Sequence, residues 1–128
     1  MPISQNVIDA ITASRDLASA VSDRLDEVIA HKKIFFQDID QENRLQARAM
    51  SQASLYSTLL GHLQAVAVTV QPPSLADIQE VRDMLNRVKN LALVDALAQA
   101  GLDLFETAIG KAGDLVNKTA PHAASAAT

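Results

Sequence analysis

The side chains with the widest chemical reach in this chain are three histidines, and there is no cysteine to serve as nucleophile, zinc ligand or disulfide partner. His62 lies in the most apolar part of its segment. Its neighbours at helical spacing are Thr58, Leu59, Ala65 and Val66, whereas an acid–base or metal-binding histidine needs a carboxylate or a second imidazole on its face. A structural role is therefore expected. His31 falls at a helix end and His122 in the C-terminal segment, with no ligand spacing between them. Asp38, Asp40 and Glu42 alternate and faintly echo a calcium loop, but the glycine and the distal bidentate glutamate of such a loop are missing. Helix caps and solvated acids account for them. Gly110 and Gly113 are spaced too loosely for a phosphate cradle, and no serine sits in a GxSxG elbow. A metal site in a bundle core would need inward-facing Glu and Glu-x-x-His pairs, and the latter do not occur. The expectation is a chain with no catalytic residues, no metal and no cofactor, hence not an enzyme.

Chemistry of recognition is better represented. Phe35 and Phe36 are two of only three phenylalanines. Adjacent side chains on a helix point about 100° apart, so one ring cannot share the core with the other. Two readings follow: a plug that closes a turn against the third helix, or an anchor for a partner. Asp9, Asp16 and Asp23 recur every seventh residue and form one acidic line; Asp95, Asp103 and Glu106 form another. Each is either a solvated stripe or an edge of negative potential that favours a basic partner. The net charge of −4 and the scattering of the basic residues exclude a nucleic-acid footprint. Lys32 and Lys33 are the only adjacent basic pair.

These residues must be positioned by helices. Glycine and proline number four each and aromatics are scarce, while alanine and leucine abound, a helix-forming composition. Val7, Ile8, Ile11, Leu17, Ala18, Val21, Leu25 and Val28 keep a helical period behind Pro2 and a Ser4 cap. A turn is placed between about 32 and 39, with Asp38 or Asp40 as the next N-cap and Asp38–Gln41 at capping-box spacing. A single helix over 4–70 would instead be roughly 100 Å long and would need a coiled-coil partner. The second helix covers about 40–70, with Leu45, Ala49, Leu55, Tyr56, Leu59 and Leu63 on its apolar side. Pro72–Pro73 ends it, and Ser74 caps a third helix with Asp77 at N3. That third helix carries Ile78, Val81, Leu85 and Val88, becomes apolar nearly all round at 91–100, and continues in phase through Gly101 to about 118.

The fold class that follows is all-α: an antiparallel bundle of three long amphipathic helices, or four if helix three breaks at Gly101. Residue i of helix one should face about 70 − i of helix two. Phe35, Phe36 and Ile39 should fall near Phe105 and Ile109, and Leu97 and Leu102 should be core positions. Residues 1–118 form one domain and 119–128 a disordered tail. There is no leader pattern and no apolar run near the ~18 residues of a membrane span, so a cytoplasmic location is expected, export by a signal-less route being compatible with the same features. The functional expectation is a non-enzymatic protein-interaction module: an adaptor, chaperone, immunity or self-assembling component. Its partner is another protein or a second copy of itself as a homo-oligomer, with Phe35, Phe36, Asp9, Asp16 and Asp23 as candidate interface residues. The alternative is an amphipathic binder of lipid or polymer granules, against which the polar faces are not rich in Lys and Arg.

Overall fold

The computed structural model describes residues 5–63 and 72–120, all helix and connecting turns. In chain order the helices are α1 (Gln5–Ile34), α2 (Asp40–His62), α3 (Leu75–Asn90), the single-turn α4 (Leu93–Ala96) and α5 (Gln99–Thr119). The proposed start at Ser4, residues 64–70 of the second helix, and 121–128 of the tail lie outside the described residues. No described helix is long and apolar enough to cross a membrane.

The turn between 32 and 39 is present, which rules out one continuous helix. Its register is the expected one. The Gln46 side-chain amide donates to the Ser22 carbonyl at 3.1 Å and to Asp26 Oδ1 at 2.5 Å, and Lys32 Nζ reaches Glu42 Oε2 at 2.5 Å. α1 and α2 are thus an antiparallel hairpin. α3 runs parallel to α1: Arg82 lies 4.0 Å from Asp9, and the Arg24 guanidinium donates to the Leu91 carbonyl at 2.6 Å. α5 returns antiparallel to α3, with Lys111 paired to Glu80, and runs beside α2 in the same direction. α1 and α5 form the centre, and α2 and α3 flank them on opposite sides.

α1 is central because its sequence permits burial on three sides. Besides Val7, Ile11, Leu17, Val21, Leu25 and Val28, the small residues Ala10, Ala13, Ser14, Ala18, Ala20 and Ser22 are buried. Small side chains let neighbouring helices come close, and each large aliphatic one contributes about 1.5–3 kcal/mol on full burial. Phe105, Ile109, Ala112 and Val116 of α5 complete the core.

The long third helix expected from the sequence is in fact three pieces, and the break is not at Gly101 itself. α3 stops at Asn90, where Arg24 satisfies the Leu91 carbonyl and its cation complements the helix C-terminus. The stretch 91–98 then turns back as α4. Gly101 sits in the first turn of α5 and makes that corner possible. A Cβ there would stand 2.4 Å from the Asp95 carbonyl oxygen and 2.7 Å from Ala96 Cα, both main-chain atoms that cannot swing away. The close approach at Gly101 is thus to α4. Consequently the apolar run is not core: Leu93 is 41 % and Val94 73 % exposed, and Leu97 and Leu102 are only half-buried. In an ordinary helix Gly→Ala gains about 1 kcal/mol. At this corner Gly101→Ala is expected to lower stability by about 1–2 kcal/mol, since forced overpacking costs about 1–3 kcal/mol. Urea unfolding checks the sign, and a more stable variant would show that the corner does not need the glycine.

Two helix starts are built differently. Ser74 Oγ accepts the Asp77 amide at 3.1 Å, the cap read from the sequence, which contributes on the order of 1 kcal/mol. The N-cap of α2 is Ile39, not an aspartate, and Asp38 Oδ1 accepts the Asp40 amide from one residue further out. At the other end α5 reaches Thr119, and both Thr119 and Ala120 are buried.

Candidate functional site

The α1–α2 turn combines two unfavourable features. α1 ends when the Gln37 amide donates to the Lys32 carbonyl at 3.0 Å and the Phe36 amide to the Lys33 carbonyl at 3.1 Å. This nested pair is the Schellman motif, whose C′ residue adopts the left-handed conformation and is usually glycine or asparagine. Here it is Phe36, with φ of 55°, the single non-glycine residue at positive φ among those described. A left-handed L-residue costs about 1–2 kcal/mol. The Phe36 ring is also 96 % exposed. Phe35 is 61 % exposed and touches only the edge of the bundle, its ring centroid 5.1 Å from that of His31, and Ile34 is 70 % exposed. Neither phenylalanine plugs the bundle: both rings stay exposed, whereas Phe105 is fully buried.

Below the turn, the first two turns of α2 and α5 stand apart. They leave a cleft of about 380 Å³, with Leu45 and Leu102 at its base, Arg44 and Arg48 on the α2 wall, and Gln99 and Glu106 on the α5 wall. The two segments do not close on one another. A second cleft of about 370 Å³ adjoins it and reaches Lys32, Asp38 and Asp40 under the turn. Neither Arg44 nor Arg48 pairs with a described carboxylate.

The aspartate line on α1 does not join this surface. Asp9 faces Arg82 of α3 and accepts from Gln5, Asp16 is held by Arg15 at 3.1 Å, and Asp23 alone of the three is exposed. Asp23 lies roughly 16 Å along α1 from its last residue at 1.5 Å per residue. On α5, Asp103 accepts from Gln99 at 3.1 Å, and Glu106 lines the same cleft as Arg44 and Arg48.

Among the described residues no group of His, Asp and Glu is arranged to hold a metal ion. His62 is exposed at the end of α2. Asp38 accepts the Asp40 amide and Glu42 pairs with Lys32, so two of the three alternating acids are already engaged. Tyr56, the single tyrosine of the chain, is buried against α5, and burial, aided by the Asp114 carboxylate, pushes its phenol up to about 12. The neutral phenol is thus favoured by folding. Its contribution is complete below pH ~10, the ordinary tyrosine value, and is lost as pH rises through the folded value. An absorbance titration is expected to show the tyrosine ionising well above its ordinary range, or only as the protein unfolds. A midpoint near 10 in the folded chain would contradict the burial.

The chain matches no protein-family model, and neither a characterised protein nor a solved structure is detectably similar to it.

Proposed function

We propose that this chain is a non-enzymatic helical interaction module and that its contact surface is the α1–α2 turn. The observation that carries the reading is Phe36, an aromatic ring held almost wholly in solvent on a left-handed backbone. Either feature alone is a modest liability. Together they disfavour the free chain twice at one residue, and strain kept at a surface position is a reason to look for function there. An exposed aromatic flanked by Ile34 and Phe35 is the kind of anchor that dominates docking energetics. Asp9, Asp16 and Asp23 do not contribute to this surface, because two of them are engaged within the chain and the third is remote.

Phe36→Gly separates function from stability. Relief of the left-handed strain, less the extra freedom of glycine in the unfolded chain, predicts a variant more stable by about 0.5–1 kcal/mol. The same variant is expected to lose association with whatever the wild type binds. Denaturant unfolding, together with affinity capture from the native host using wild type and variant as baits, gives both readouts. A Phe36→Gly chain that is less stable would make the ring a structural element and overturn the reading. So would one that captures the same protein as the wild type.

A further inference from the structure

Resting on the reading of the turn as a contact surface, we propose that its occupant is a second copy of this chain, each copy seating its Phe35–Phe36 turn in the other's α2–α5 cleft. Turn and cleft lie at the same end of the bundle, next to one another. A two-fold axis between two copies therefore exchanges them, so that both turns and both clefts are used and the assembly closes as a dimer. The cleft offers what the rings need: an apolar base, with Leu102 still half-exposed, and two guanidinium groups on one wall. Arginine over the face of a phenylalanine is favourable.

The charges match in the same sense. Around the turn stand Lys33, Asp38 and Asp40, one positive and two negative. Around the cleft stand Arg44, Arg48 and Glu106, two positive and one negative. All six are exposed, and none forms an ion pair within the described chain. Asp40 and Arg44 are one turn apart on α2, the spacing of a helical ion pair, yet they do not meet. Net charges of −1 and +1 on facing surfaces steer the two copies into this register and penalise turn-on-turn contact. The surface is small, a few aromatic rings of about 150–250 Å² each. The dimer is therefore weak, concentration-dependent and loosened by salt.

The test is sedimentation equilibrium over a concentration series, with circular dichroism to confirm folding. Wild type should move from monomer to dimer, and Phe36→Ser should weaken that by at least about tenfold. Two charge variants then probe the register. One carries Arg44→Glu with Arg48→Glu. The other carries Asp38→Asn with Asp40→Arg, asparagine keeping an acceptor for the residue-40 amide. Each should be monomeric alone, because like charges then face each other at both contacts, and an equimolar mixture should dimerise because both contacts are restored. A wild type that stays monomeric throughout, or a dimer indifferent to Phe36 and to both charge variants, overturns the proposal. If wild type is monomeric but captures a host protein or binds phosphatidylglycerol vesicles in a Phe36-dependent way, the second copy is wrong and the contact surface stands. If no association of any kind depends on Phe36, both readings fail.

Discussion

Phe105→Ala is expected to lower the unfolding free energy by about 3–5 kcal/mol. Phe105 is fully buried on α5, one of the two central helices, and it heads the large side chains with no exposure. Removing the ring loses its transfer free energy and opens a void that three packed helices cannot close by side-chain shifts alone. The total stability of a domain of this kind is about 5–15 kcal/mol, so the variant sits near the margin. Denaturant unfolding should show a lower midpoint at an unchanged slope, the mark of lost stability without a changed unfolded state. Phe36→Ser supplies the contrast, since its ring makes almost no contact in the free chain. A loss at Phe105 below about 0.5 kcal/mol, the scale of surface substitutions, would mean that α5 does not pack as described.

The three phenylalanines show what was legible in the sequence. Local signals read correctly: the Ser74 cap of α3, the turn after Lys33, and the 70 − i register of the first hairpin all depend on residues close in sequence or on a simple reversal. What failed depended on residues far apart. Arg24 ends α3 by capping Leu91, and Gly101 admits the α4 corner only because Asp95 and Ala96 fold back upon it. Helix propensity in Leu91–Ala98 favours continuation, and tertiary contacts override it. The burial of α1 on three sides was hidden because alanine and serine read equally well as core or surface. Asp9 looked like part of a solvated stripe because its partner, Arg82, lies on another helix. Phe35 and Phe36 were identifiable as a pair that could not both be core. Their exposure, and the left-handed backbone at Phe36, come from the way α1 terminates, and no residue of glycine type announces that ending.

The same turn depends on one ion pair, and its two halves should not be equivalent. Glu42 is 5 % exposed at its side chain and Lys32 19 %, with Nζ 2.5 Å from Oε2. The pair ties the last turn of α1 to the first turn of α2, and each charge sits at the helix end that favours its sign. Lys32→Met leaves a buried carboxylate without its counter-charge. Breaking buried pairs in this way costs about 3–5 kcal/mol, and the partial exposure of Lys32 places this one near about 3. Glu42→Gln should cost less, about 1–2 kcal/mol, because the lysine stem is long enough to carry its ammonium to water. The double variant Lys32→Met with Glu42→Leu should recover most of the loss, since apolar side chains of similar volume commonly replace a buried pair without penalty. A double-mutant cycle by urea unfolding measures the coupling. Moderate salt should leave it nearly intact, in contrast to the exposed Arg82–Asp9 pair, which contributes about 0–1 kcal/mol and is screened. If the Lys32 and Glu42 effects add to within about 0.5 kcal/mol, the two residues are independent, and the turn that presents Phe36 is held by its backbone bonds alone.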